Sequence, residues 1–108
     1  MLGREAQAIP LYQKAVSLGL GESSLRGALL GLGSSYRTTG RHAEALATFD
    51  EALSRFPDAV EFKVFRAMTC YNLGRNKEGM ETLLGILATT TTDPALLPYR
   101  RAMALYAE

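Results

Sequence analysis

The sequence predicts an all-α protein built from antiparallel pairs of helices, about six helices in all. Apolar residues recur at intervals of three and four along most of the chain, which places them on one face of an α-helix. The dipeptide Gly-Arg recurs at residues 3–4, 40–41 and 74–75, each time between stretches with helical periodicity. A glycine just beyond a helix readily adopts the left-handed backbone conformation that ends the helix. Each Gly-Arg is therefore expected to form the tight turn of a helical hairpin.

The first three helices are predicted over residues 4–18, 24–39 and 41–55. Ser23 and Ser24 precede the second helix and are candidates for its N-cap, because a serine hydroxyl accepts a hydrogen bond from a free N–H of the first turn. The predicted apolar faces consist of Ala8, Tyr12, Ala15 and Val16 in the first helix, Leu25, Ala28, Leu29, Leu32 and Tyr36 in the second, and Ala45, Leu46, Phe49, Ala52 and Leu53 in the third.

Pro57 ends the third helix, and residues 58–61 have the spacing of a capping box with Asp58 in the serine or threonine position. A fourth helix is predicted from there to about Leu73, and a fifth over residues 76–88. The residues predicted to face inward are Val64, Ala67, Met68 and Tyr71 in the fourth helix, and Met80, Leu83, Leu84 and Leu87 in the fifth.

The run from Thr89 to Thr92 is β-branched and polar, which favours a loop. Asp93-Pro94 then predicts an N-cap and the first turn of a sixth helix, which runs to about residue 107. Its predicted apolar face comprises Leu96, Tyr99, Met103 and Tyr106. Helical hairpins that recur at a period near 34 residues are typical of a solenoid.

Composition excludes several classes of function. Twelve basic residues against eleven acidic ones leave a formal charge of +1, without the basic excess that a nucleic-acid interface needs. There is no apolar run of about 18 residues, so no membrane span is predicted. Cys70 is the single cysteine, which rules out an internal disulfide. The start of the chain lacks the order of a signal peptide, and a cytoplasmic location is expected.

Residues 26–59 carry a more specific pattern. Its positions match the consensus spacing of the tetratricopeptide repeat, and the segment resembles that family. The matches are Leu32-Gly33, Tyr36, Gly40, Ala45, Phe49, Ala52 and Pro57, with Leu29 where tryptophan is usual.

The resemblance implies one domain over residues 1–108, folded as a right-handed superhelix of antiparallel helix pairs. It divides into a half repeat at 1–20, a repeat at 24–57, a divergent repeat at 58–90 and a C-terminal capping helix at 93–108. The function implied is a protein-interaction scaffold that binds a partner protein or peptide, without catalysis, cofactor or metal. A structural or dimerisation module, or an accessory regulatory domain of a larger protein, is the alternative.

In this family the first helix of each hairpin lines a concave face on which peptides lie. Leu30 and Ser34 stand where a carboxylate-clamp groove has lysine and asparagine, so that clamp is not expected. Ordinary packing of Leu30, Val64 and Met68 is an equally weighted alternative to ligand binding. The residues that the resemblance places on the concave face are Leu30, Ser34, Arg37, Thr38, Val64, Met68, Tyr71, Asn72 and Arg100.

The pattern starts in the middle of a repeat, so Ala8, Tyr12 and Ala15 lack the helix that would precede them. Leaving such an apolar stripe in water is costly. The chain is then a piece of a longer array, a homodimer that uses this stripe, or a fold in which the stripe packs on the second helix. The first two alternatives, which are compatible, are favoured.

Two residues are candidates for chemistry. Cys70 lies on an apolar helix face, where a buried and inert thiol is expected. His42 follows the Gly40-Arg41 turn and is expected to pack against it; a metal site there would need a second ligand, for which Glu44 is the one nearby candidate. An enzyme that uses Cys70 or His42 is the least favoured interpretation.

Overall fold

The computed structural model describes residues 2–107. Within that range the chain forms six α-helices and one short 3₁₀-helix, with no strand, so the predicted all-α class is confirmed. The α-helices are α1 (Leu2–Ser17), α2 (Glu22–Thr38), α3 (His42–Arg55), α4 (Val60–Asn72), α5 (Asn76–Thr90) and α6 (Arg100–Tyr106), and the 3₁₀-helix spans Leu97–Tyr99.

Consecutive helices pack against one another along the whole array, and α2 also contacts α4. The connections within the hairpins α2–α3 and α4–α5 are short because Gly40 and Gly74 adopt φ of 84° and 77°. Only glycine reaches that backbone region without strain. The turns predicted at residues 40–41 and 74–75 are therefore confirmed.

The joint between the two hairpins holds the largest buried side chains. Phe49 of α3 is 0% exposed, and its ring centroid lies 6.2 Å from that of Phe65 in α4. The same ring lies directly on the backbone of Gly33 in α2, where a Cβ atom would be 2.4 Å from it. The absence of a side chain at Gly33 thus lets the second and third helices approach closely.

One arginine links three consecutive helices. Arg66 of α4 donates hydrogen bonds of 2.6 Å both to Asp50 of α3 and to Glu78 of α5. The hydrogen bonds from Arg66 and then Arg75 hold the pKa of Glu78 below its usual value. Since Arg66 joins three consecutive helices, it fixes the register between the two hairpins.

Several predicted helix ends are wrong. Gly3-Arg4 lies inside α1 and forms no turn. Ser23 and Ser24 do not cap α2, which begins at Glu22 after Gly21. The capping box at residues 58–61 does not form, since α4 begins at Val60 and has no side-chain cap. Helix α2 thus begins before its predicted cap, whereas α4 begins one residue later than a cap at Asp58 would place it.

The C-terminal third differs most from the prediction. Helix α5 continues through Thr89 and Thr90. Their hydroxyls donate hydrogen bonds to backbone carbonyl groups one turn earlier, so both hydroxyls have a partner within the helix. Asp93 accepts a hydrogen bond of 2.9 Å from the N–H of Ala95, which stabilises a turn in place of a continuous helix. The sixth helix is consequently short, and Tyr99 and Tyr106 are exposed, contrary to prediction.

Candidate binding groove

An open cavity of about 640 Å³ lies between α4 and α5 on the last hairpin. Its volume falls within the range of roughly 300–1,000 Å³ that is usual for ligand sites. We call it the terminal groove. Met68, Tyr71 and Asn72 of α4 line it together with Asn76, Met80 and Leu83 of α5, and Arg37 of α2 completes the lining.

The groove is open because the last hairpin is covered less completely than the first. Leu83 follows Phe49 by 34 residues and occupies the corresponding position of the next hairpin. Phe49 is 0% exposed and Leu83 is 40% exposed. Helix α4 covers Phe49 with the side chain of Phe65. Helix α6, in contrast, contacts α5 nearer its C-terminal end, at Gly85 and Ala88. Met80 therefore remains 58% exposed.

Helix α6 is fastened to the far part of α5. The Nε–H of Arg100 donates to the backbone carbonyl of Ala88 at 2.9 Å, and Ala107 lies next to Gly85, within 3.5 Å of where a Cβ atom would stand. Leu105 and Tyr106 line a second, smaller cavity together with residues of α5, among them Met80. No residue of α6 belongs to the lining of the terminal groove.

Arg37 is the single charged side chain in the lining of this groove. One Nη nitrogen donates to Asn72 at 3.4 Å, a long hydrogen bond. The Nε–H of Arg37 is buried and has no partner within residues 2–107. The part of the chain that the structure describes also contains no ion pair of Arg37, whereas carboxylates pair with the arginines at positions 26, 41, 55, 66 and 75.

Four of the residues assigned to the concave face from sequence, Arg37, Met68, Tyr71 and Asn72, meet in the terminal groove. Leu30 lies elsewhere, packed against the core and beside a more polar cavity that also contains Arg26 and Glu61.

The remaining predicted site residues lie outside the groove lining. The Thr38 hydroxyl donates to the carbonyl group of Ser34 within α2, at 3.0 Å. Val64 and Ser34 are half-buried, and the guanidinium of Arg100 is engaged with α5.

Asn76, Met80 and Leu83 are groove residues that the sequence reasoning missed. It assigned Met80, Leu83 and Leu87 to the core, and that assignment is wrong because all three are exposed. Their periodicity matches that of buried residues in α3, so the pattern itself gives no warning. No sequence signal marks these residues as exposed, because their coverage depends on where the following helix packs.

The apolar face of α1 packs in part against the core, although the sequence predicted that its stripe would lack a partner helix. Ile9 is buried, and Tyr12 and Val16 pack against the core. The Tyr12 ring lies on Gly31 of α2, where a Cβ atom would be 2.4 Å from it. Of the three alternatives given for the stripe, packing on the second helix is therefore the one that holds for Tyr12.

Two residues of that stripe, Ala8 and Ala15, also belong to an apolar line that follows α1 and ends at Leu18, one residue beyond the helix. Ala8 and Ala15 are half-buried there, and Leu11 and Leu18 are 70% and 64% exposed. The four residues have the 3-4-3 spacing of a helix–helix seam.

The two candidates for chemistry, Cys70 and His42, differ in their surroundings. Cys70 is fully buried, and burial raises the pKa of its thiol, which disfavours the reactive thiolate. His42 is half-buried, and its Nδ1 has no hydrogen-bond partner among the described residues. Within residues 2–107 no cluster of three or more His, Cys, Asp or Glu side chains is placed to hold a metal ion.

Stacked antiparallel hairpins with an open groove on the last one define an α-helical repeat protein. The family model for the tetratrico peptide repeat matches residues 1–108. The chain therefore belongs to the tetratricopeptide repeat family, as the sequence resemblance implied. A search of curated proteins found no match. Among the described residues, no helix combines the length and the apolar character needed to cross a membrane.

Proposed function

We propose that this chain is a protein-interaction module that binds a segment of a partner protein in the terminal groove. The observation that carries the proposal is the contrast between two equivalent positions, since Phe49 is covered by the following helix and Leu83 is not. The last hairpin therefore presents apolar side chains that an incoming segment would cover in the same way.

The chemistry of the groove supports a mixed peptide ligand. Met68 and Met80 adapt their shape to different apolar partners because the methionine side chain is unbranched and flexible. Tyr71 is exposed and offers both an aromatic face and a hydroxyl, a combination common in protein interfaces. Burial of these side chains would supply affinity, and the amides of Asn72 and Asn76 would orient a peptide backbone.

The proposal is tested by panning a phage-displayed library of random peptides against the chain and measuring the affinity of enriched peptides by fluorescence anisotropy. The diagnostic variant is Met80→Glu, which puts a charge in the groove. Tyr99→Glu is the matched control, since Tyr99 is a comparably exposed residue that lies outside the lining of the groove. Circular dichroism verifies that both variants keep the helical content of the wild type.

Peptides that bind the wild type and Tyr99→Glu equally, and bind Met80→Glu at least about tenfold more weakly, support the proposal. A library that yields no binder, or binders that Met80→Glu leaves unaffected, refutes the assignment of this groove.

A second candidate function is self-association through α1. The apolar line of Ala8, Leu11, Ala15 and Leu18 has the spacing of a packing seam, and its two leucines are exposed. Ala8 and Ala15 are half-buried and belong to the face assigned to dimerisation from sequence. A dimer that paired these lines would cover both leucines of each copy.

Light scattering behind size exclusion, over a range of concentrations, tests this candidate. A mass near twice 11.7 kDa that reverts to the monomer mass in the double variant Leu11→Lys/Leu18→Lys supports a homodimer through α1. A wild-type mass near 11.7 kDa at every concentration refutes it.

A further inference from the structure

We infer that the terminal groove selects a peptide segment in which a large apolar side chain lies beside a carboxylate, with Arg37 binding the carboxylate. The inference rests on the proposed function and specifies the chemistry of its ligand. It is carried by the juxtaposition of one uncompensated cation with a set of exposed apolar side chains in a single cavity.

The apolar requirement follows from what the groove leaves in water. Met80 and Leu83 project from α5 and Tyr71 from α4, and all three are exposed. The hydrophobic effect favours their coverage in proportion to the apolar area buried. A large aliphatic or aromatic side chain fits between α4 and α5, whereas a small or polar one would leave this surface wet.

The requirement for a carboxylate follows from the state of Arg37. Its Nε–H is buried without a partner in residues 2–107, and its hydrogen bond to Asn72 is long at 3.4 Å. The guanidinium therefore lacks a strong partner, and a carboxylate in the groove reaches Nε once the side chain rotates. A carboxylate that accepts from Nε and an Nη together forms the bidentate pair for which the guanidinium geometry is suited.

The charge balance of the groove excludes a basic ligand. None of the residues that line it is Asp or Glu, and none pairs with Arg37 among the described ion pairs. A lysine or arginine in the ligand would meet Arg37 without a compensating carboxylate. Asn72 and Asn76 supply neutral amides, so Arg37 is the one charged group in the lining.

The test is a double-mutant cycle on a peptide from the library, followed by fluorescence anisotropy. One change is Arg37→Gln in the protein, which removes the charge and keeps a shorter, polar side chain. The other replaces the acidic residue of the peptide by its amide. Arg55→Gln is the matched protein control, because Arg55 is an exposed arginine of α3 that pairs with Glu51, away from the groove.

Three results support the inference when they occur together. Enriched peptides carry Asp or Glu next to a large apolar residue. Arg37→Gln weakens their binding by roughly tenfold, in line with loss of a charge-assisted hydrogen bond, and Arg55→Gln does not. Amidation of the peptide carboxylate then has little further effect in the Arg37→Gln background.

Failure of the inference is distinguishable from failure of the proposed function. Peptides that require Met80 but show no acidic preference, or whose carboxylate contributes equally in Arg37→Gln, overturn the inference and leave the groove as a binding site. A library without any binder overturns both. Circular dichroism verifies that Arg37→Gln keeps the helical content of the wild type. This is the expected result, because a charge without an ion pair at the surface contributes little to stability.

Discussion

Substitution of Gly33 by alanine tests the packing on which the central joint of the array depends. A Cβ atom at this position would lie 2.4 Å from the Cζ atom of Phe49 and 2.5 Å from a neighbouring ring carbon. Ordinary carbon–carbon contacts are about 3.5–4.0 Å, so the ring has to move by about 1 Å. Phe49 is 0% exposed, and its neighbours leave the ring little space into which it could move.

Two opposing effects determine the magnitude. Alanine is favoured over glycine inside a helix by up to about 1 kcal/mol. Overpacking of a close-packed core costs about 1–3 kcal/mol, occasionally more. The overpacking is expected to win at Gly33, because the atoms that would be displaced belong to a fully buried ring. The free energy of unfolding should therefore fall by about 1–2 kcal/mol.

Gly27 provides a control within the same helix. A Cβ atom there would meet nothing within 4 Å, so Gly27→Ala gains helix propensity without a steric cost. It should raise the free energy of unfolding by up to about 1 kcal/mol. The two substitutions are chemically identical and are predicted to have opposite signs.

Urea denaturation followed by circular dichroism gives both free energies, and thermal melts should shift in parallel by about 4–8 °C per kcal/mol. The double variant Gly33→Ala/Phe49→Leu should recover part of the loss, since leucine vacates the space in which the ring lies. If Gly33→Ala stabilises the chain as much as Gly27→Ala does, Phe49 does not pack on Gly33 and the description of the joint is wrong.

Three further predictions concern the core and the ion pairs. Phe49→Ala should lower the free energy of unfolding by roughly 3–5 kcal/mol, because it opens a cavity at a fully buried site. Stability should decrease as the pH falls below the ordinary value of 4.5 for Glu78, since hydrogen bonds from Arg66 and Arg75 lower its pKa in the folded state. That contribution is present above the unfolded-state pKa and is lost as the pH falls through the folded-state pKa. Cys70, which is fully buried and has a raised pKa, should react with a thiol reagent far more slowly in the native protein than in denaturant.

Each of these predictions has a defined contrary result. A loss below about 1 kcal/mol for Phe49→Ala would remove Phe49 from the core. Urea midpoints measured from pH 6 to pH 3 should fall less steeply in Glu78→Gln than in the wild type, and equal slopes would mean that Glu78 contributes nothing to the acid sensitivity. Equal labelling rates of Cys70 in native and denatured protein would reopen the enzymatic alternative.

Much of the architecture is determined by local sequence. The periodicity of Leu29, Leu32 and Tyr36 predicts a helix because residues three and four apart share a face whatever the rest of the chain does. Gly40 and Gly74 predict turns because the required backbone conformation strongly favours glycine. These two predictions depend only on interactions between residues that are close in sequence, so the sequence alone is enough to make them.

Tertiary structure alone decided which apolar residues are covered and which polar residues meet. Leu83 and Phe49 occupy equivalent positions, yet one is exposed and the other buried, because coverage depends on where the next helix packs. Arg37 and Asn72 are 35 residues apart and come together only when α2 packs beside α4. Periodicity is a property of a single helix, whereas a groove is a property of several helices at once, and for that physical reason the terminal groove was beyond the sequence.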